Sequence, residues 1–278
     1  MGVRILAIGL AAGFGASAFG FSTSADGAAA HFTFVSGDRG YHAVVADTGS
    51  DLITPTAQVA PRLTNVWRLI SQSQPVAAIT GTFFAWENGK PVADVVVDGT
   101  QVATGYRGSI LAVDWFGKPH ILDTPTRKPF DYHAYRYAVR GGVRVLQSGV
   151  VANNPRSQGF TDSSIWGSAA RTAVGITATG KLMFVATRSS VTLSALGKAM
   201  KSQGAVDALA MDGGGSTMLY FDGDLKISPN RGLCNLLLIE KRSPYDEAFR
   251  TYLARLGQTQ AEGSLKGVMD SAGTQGER

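Results

Sequence analysis

Short apolar runs divided by turn residues recur along most of the chain, and three stretches carry helical spacing instead. His31-Phe32-Thr33-Phe34-Val35 and Tyr41-His42-Ala43-Val44-Val45-Ala46 flank a Gly-Asp-Arg-Gly turn and predict a pair of strands. Thr54 to Pro61 reads as a loop. Leu63, Val66, Trp67, Leu69 and Ile70 then recur at helical spacing, which predicts a helix over Arg62 to Gln72 with that face turned inward. Pro75 to Thr80 is a buried strand ending at Gly81, and Val92 to Val97 closes on Asp98-Gly99, a hairpin signal. Further strands are predicted for Gly108 to Trp115, His120 to Leu122, Ala169 to Thr177 and Leu182 to Thr187, and Tyr135 to Val139 leads into the run Arg140 to Gly149. Thr192 can cap a second helix whose inward face is Leu193, Leu196, Ala199 and Met200.

That helix feeds the stretch around which the pattern is organised. Val206 to Met211 is an apolar run that delivers one carboxylate, Asp212, at its end; Gly213-Gly214-Gly215, Ser216 and Thr217 follow. Three glycines between two strands weaken both, because glycine loses the most backbone entropy on folding. They also let backbone amides face a space free of side chains, a nest suited to an anion such as phosphate. A plain glycine-rich turn capped by Asp212 fits the same letters. Ser71 to Gly81 parallels Ser202 to Gly213, each a helix end followed by a short strand and glycine. The parallel predicts both glycine turns on one edge of a common sheet, where ligands of α/β proteins bind.

After Phe221 come the Asp222-Gly223 turn, a loop from Ser228 to Gly232 and a last strand, Leu233 to Ile239. Tyr245, Phe249, Leu253 and Leu256 return to helical spacing. The expected fold is one α/β or α+β domain: a mixed, largely antiparallel sheet flanked by two main helices plus a C-terminal helix. Its boundaries are expected at 31–242, with the terminal helix at 243–257 and a disordered tail at 258–278. Residues 1–22 read as a signal peptide or N-terminal anchor: Arg4, an apolar stretch from Ile5 to Phe14, then Ala16-Ser17-Ala18. The mature chain is therefore expected outside the cytoplasm, without stable membrane insertion after cleavage.

Charge narrows the partners. The chain of 278 residues carries a net charge of +5 with 17% charged residues, and holds no dense Lys/Arg block. Nucleic acid is not an expected partner, whereas a small anionic substrate is. Cys234, the single cysteine, lies in an apolar run and reads as core. No Cys/His cluster has zinc spacing, and neither a cofactor nor a resident metal is expected. His31 and His42 are lone histidines in strand-like runs. Asp94 is a carboxylate inside a predicted strand, facing either solvent or a site, and the loop from Ala152 to Gly167 is long and polar. Arg171 and Arg231 each begin a strand, and arginine forks match phosphate oxygens bidentately. Surface ion pairs are the commoner fate of such arginines.

Three motifs, in order, resemble the phosphodiester glycosidase family between about Tyr41 and Glu240. They are Gly81-Thr82-Phe83-Phe84 with Pro91 to Gly99, Arg171-Thr172-Ala173-Val174-Gly175, and Asp212-Gly213-Gly214-Gly215-Ser216. Thr80 and Ala210-Met211 stand where the family typically has Asn and Asn-Leu. The resemblance implies hydrolysis of a sugar-1-phosphodiester at the glycosidic C–O bond, releasing free sugar and a phosphomonoester. Asp212 and Asp94 would be the catalytic carboxylates. Arg171, Arg231, Gly213, Gly214, Gly215, Ser216, Thr217, Thr80, Gly81, Thr82 and Phe83 would bind substrate or phosphate. The departures at Thr80 and Ala210 keep open a surface protein that binds phosphoglycan without turnover. A phosphodiesterase cutting P–O, with metal held by Asp212 and Asp94, is a second alternative. A serine hydrolase using Ser216 lacks the G-x-S-x-G elbow.

Overall fold

The computed structural model describes residues 18–124, 127–242, 252, 255 and 256. The chain divides into two compact units, the first ending at Lys241. Strands β1 (Ala18–Thr23), β2 (Ala29–Ser36) and β3 (Arg39–Ala46) form a meander, followed by β4 (Ile53–Thr64), helix α1 (Val66–Ser73) and β5 (Ala77–Thr80). Next come β6 (Val95–Val97), β7 (Thr100–Ala103), β8 (Ser109–Asp114), β9 (Pro119–Leu122), β10 (Tyr135–Gln147) and β11 (Val150–Val151). The chain then makes β12 (Ala169–Thr177), β13 (Leu182–Val191), helix α2 (Leu193–Ser202) and β14 (Ala205–Ala210). It closes with β15 (Leu219–Phe221), β16 (Asp224–Ile227) and β17 (Leu233–Lys241).

These strands form two sheets. The larger runs β1-β2-β3-β13-β12-β14-β10-β6-β7, with β8, β9 and β11 attached through β10; the smaller runs β16-β15-β5-β17-β4. Every pairing among the described residues is antiparallel, so the mixed sheet expected from sequence is corrected to an antiparallel one. Alternation along each strand supplies the two buried faces. Val174, Leu209 and Met211 of the larger sheet meet Ile79, Leu219 and Leu237 of the smaller one in a shared core.

The helices cover the two outer faces. Thr192 caps α2 as its sequence predicts, its hydroxyl accepting the Ala195 N–H at 3.1 Å. Leu193, Leu196, Ala199 and Met200 pack on Phe32, Val143, Ala173 and Ala208. Asn65 caps α1 through its side-chain oxygen, and Val66, Leu69 and Ile70 pack on Ala78, Leu236 and Leu238. The stretch 62–72 therefore splits: Leu63 belongs to β4, and Trp67 is half exposed rather than inward. The loop expected at Thr54 to Pro61 is the middle of β4. That strand lies at the edge of its sheet, where missing proline N–H groups are tolerated. Of the helix expected at 243–257 only residues 252, 255 and 256 are described, and these are helical; the rest of it, the tail after it and residues 1–17 lie outside the described residues, while residues 18–23 pair with β2.

The long strand β10 pairs with β6 and β8 up to Gly142 and with β14 and β11 after it, and it bends at Gly141 and Gly142. Gly141 takes a left-handed φ of 101°, and a Cβ there would lie 2.2 Å from Thr82 Oγ1. A Cβ on Gly142 would meet that of Leu209 at 2.6 Å. Gly141→Ala is expected to lower unfolding free energy by about 2 kcal/mol or more, through backbone strain and overpacking. Urea denaturation with an unchanged m-value would measure it.

Candidate active site

Strands β5 and β14 end in glycine turns, and the two turns meet. The Asp212 N–H donates to the Gly81 carbonyl at 3.1 Å. The common edge expected from the sequence repeat is thus corrected: β5 and β14 belong to different, facing sheets, and the turns join where the sheets come together.

Each turn is locked from its own sheet. Asn235, on β17, accepts the Thr82 N–H at 2.7 Å and donates Nδ2 to the Thr82 carbonyl at 3.0 Å. A Cβ at residue 81 would fall 1.9 Å from Asn235 Oδ1, so glycine is what lets the chain close on this amide. On the other side Thr172 donates its hydroxyl to the Asp212 carbonyl at 2.6 Å. The Thr80 hydroxyl donates to the Ser216 carbonyl, which ties the first turn to the second.

The Asp-Gly-Gly-Gly-Ser segment is a short 3-10 turn over Gly214–Ser216 with Gly214 at φ 57°. The Ser216 and Thr217 N–H groups donate to the carbonyls of Gly213 and Gly214. The amides of Gly214 and Gly215 have no partner among the described residues. Neither do the buried hydroxyls of Thr82 and Thr217. Buried polar groups are normally paired, so this cluster of unused donors marks a place for a polar ligand.

Two charges sit at the turn. Burial raises the Asp212 carboxyl from its ordinary 3.8 to about 6. The nearby Ser216 hydroxyl, the Arg231 charge and the Gly213 N–H pull it back down. Ser216 Oγ exerts that pull without a hydrogen bond of regular geometry. Arg231 lies flat against Gly215, where a Cβ would be 2.6 Å from its terminal nitrogen, and over the rings of Trp86 at 5.0 Å and Phe84 at 5.8 Å. Trp86 is 75% exposed, so this stack forms the rim.

The structure thus brings Asp212, the glycine turn, Ser216, Thr217, Thr80, Gly81, Thr82 and Arg231 together. Phe83 stands just behind, its ring tilted against that of Phe160 in the 152–167 loop with centroids 5.5 Å apart. Two other candidates are engaged elsewhere. Arg171 is buried, and its guanidinium donates to the carbonyls of Val191, Ile165 and Gly167, anchoring that loop. Asp94 is buried in its own network: it accepts from Gln101 at 2.9 Å, the Gly105 N–H at 2.9 Å and Tyr132 at 2.8 Å. It also pairs with the fully buried Arg140 at 3.4 Å. Burial, then the Asp94 charge, raise the Tyr132 phenol, which keeps it a donor. His31 and His42 contact each other at 3.1 Å, and burial depresses both, His31 to about 4. Burial pushes the Cys234 thiol up to about 11, in keeping with core packing. Among the described residues no three His, Cys, Asp or Glu side chains cluster to hold a metal ion.

Sequence reasoning missed Asn235, Thr172 and the Phe84–Trp86 shelf. Asn235 carried a usable signal: an amide in a run of leucines is costly to bury unless it bonds to something specific.

An antiparallel double sheet whose ends present an aspartate on a glycine turn is the arrangement to which sequence comparison gives a family. Residues 73–240 match the phosphodiester glycosidase family, and the chain belongs to it. Solved structures agree in fold. The catalytic domain of zebrafish N-acetylglucosamine-1-phosphodiester alpha-N-acetylglucosaminidase, auto-inhibited by its pro-peptide, superposes with a TM-score of 0.64 at 18% identity. That alignment covers 81% of this chain and 82% of the zebrafish one. A hypothetical protein of Synechocystis gives 0.59 at 14% identity, covering 76% and 62% of the two chains. A Burkholderia pseudomallei K96243 protein described as exported gives 0.54 at 13%, covering 76% and 74%. No curated protein sequence matches the chain significantly.

Two stability experiments follow from this electrostatics. The unfolded Asp212 carboxyl ionises near 3.8 and the folded one near 6, so the unfolded state loses its proton first. Stability therefore falls as pH rises through that window and is level above it, by about 3 kcal/mol in all. Asp212→Asn is expected to melt higher than the wild type at neutral pH, with the gain vanishing in acid below both values. Asp94→Asn is expected to cost about 3 kcal/mol or more by leaving Arg140 buried with its partner neutralised. Calorimetric melting should show a fall of several degrees.

Proposed function

We propose that this protein hydrolyses a sugar-1-phosphodiester at the glycosidic C–O bond. Water's oxygen joins the anomeric carbon, and the bridging oxygen leaves with the phosphate as a phosphomonoester. The observation that carries the reading is a carboxylate whose pKa is raised to about 6, beside two unpartnered backbone amides and Arg231. Family membership and the activity named for the zebrafish relative support it.

A phosphate ester is already a good leaving group, so the residues have two main tasks. The Gly214 and Gly215 amides, with Arg231, stabilise charge gathering on the departing phosphate. The ionised Asp212 activates water or shields the oxocarbenium-like centre. Ser216, Thr217 and Thr82 offer hydroxyls to the same ligand, and Thr80 and Gly81 hold the second turn in place. Arg171 and Asp94 act as positioning residues: one fixes the 152–167 loop and the other the strand entering β6. We also assign the N-terminal stretch through Ala18 to export. Among the described residues, no helix is long and apolar enough to cross a membrane.

The test is incubation with UDP-N-acetylglucosamine or another sugar-1-phosphodiester in isotopically labelled water, with and without chelator. Label in the released sugar is the expected outcome. Label in phosphate, with loss of activity on chelation, would mean P–O cleavage. Substrate bound but never turned over would make the protein a phosphoglycan binder. Asp212→Asn should lower kcat/KM by about a hundredfold or more. Wild-type kcat/KM should rise with pH to a plateau above about 6, the direction required if the ionised form acts.

A further inference from the structure

A second polar cavity, of about 500 Å³, lies beside β10 under the 152–158 part of the long loop. Neither the glycine turn nor Arg231 lines it. Its volume falls within the roughly 300–1,000 Å³ range of small-ligand sites. We propose that this cavity, walled by Asp123, Arg144, Gln147, Asn154 and Gln158, is a binding site for an uncharged saccharide.

Arg144 carries the argument. It is only 7% exposed, and its two terminal nitrogens donate to Asp207 at 3.0 Å and Asp123 at 2.9 Å. Its Nε is buried with no partner, a guanidinium donor still lacking an acceptor. The two charged residues of the wall, Arg144 and Asp123, pair with each other, and Asp207 behind the wall takes the other terminal nitrogen, so no cationic fork is left free for phosphate or carboxylate. The guanidinium between the carboxylates equally repels a metal ion. What remains is a ligand that is neutral and both donates and accepts.

The rest of the wall has that chemistry. Ser109, Thr124, Asn153, Asn154, Gln147 and Gln158 present hydroxyls and amides, and among the described residues no aromatic ring lines the cavity. Several of these groups are already fixed. Gln158 Oε1 accepts the Arg144 backbone N–H at 2.9 Å. Asp123 accepts from Ser109 at 2.7 Å and Gln147 at 3.3 Å. A carboxylate, planar amides and a guanidinium held in one pocket suit adjacent hydroxyls of a sugar ring, which offer a donor and an acceptor at each carbon. Free sugar and the neutral part of a longer glycan share that chemistry.

The experiment is saturation-transfer NMR on the full chain with glucose, mannose, N-acetylglucosamine and their neutral oligomers. Inorganic phosphate serves as competitor, and three variants are compared. At least one neutral saccharide is expected to bind at millimolar concentration, unaffected by phosphate and by Asp212→Asn. Gln147→Ala and Asn154→Ala, both at exposed positions, should each weaken it about fivefold to tenfold. Binding of monomers as well as oligomers would identify free sugar as sufficient, and binding of oligomers alone would identify a glycan segment. Binding by none of these sugars would overturn the proposal. So would binding that Asp212→Asn or phosphate abolishes while Gln147→Ala and Asn154→Ala leave it intact. That last pattern would place the sugar at the glycine turn, whereas failed hydrolysis there leaves this cavity untouched.

Discussion

Everything at the glycine turn depends on two strand ends from different sheets being held edge to edge. The bond from the Asp212 N–H to the Gly81 carbonyl is the junction. A single such bond contributes about 1 kcal/mol and could not hold the sheets by itself. It persists because each side is over-determined: Asn235 clamps residues 81 and 82, Thr172 holds the Asp212 carbonyl, and Thr80 reaches across to Ser216. The shared apolar core behind them supplies the cohesion; these polar contacts set the register.

The same junction explains the perturbed carboxylate. A loop projecting into water could not remove Asp212 from solvent enough to raise its pKa to about 6. Placing it where two sheets converge does so, while the glycines keep donors within reach. The folded state is less stable at neutral pH for holding this group, and the raised pKa is the chemical return.

Much of this was readable in the sequence, and the failures have physical causes. The Val206 to Met211 run, its glycines and the Thr192 cap were legible because local periodicity and cap chemistry decide them. β4 was not, since Pro55 and Pro61 mimic loop punctuation and only the sheet order reveals an edge. The repeat of helix, strand and glycine was real, but letters cannot say whether two such strands share one sheet or face each other across two. Arg171 and Asp94 had the right residue types at motif positions. Their engagement with loop carbonyls and with Arg140 depends on contacts between distant segments. Asn235 was missed for the opposite reason, its single amide being lost in an apolar run.

The edge strand that misled the reading has a consequence outside the site. A strand at the margin of a sheet offers its backbone to any passing chain of similar shape, which is how many β proteins come to aggregate. At residues 55 and 61 an incoming strand would find no hydrogen to share. The prolines therefore remove two of the donors that a strand added along that margin of the smaller sheet would need.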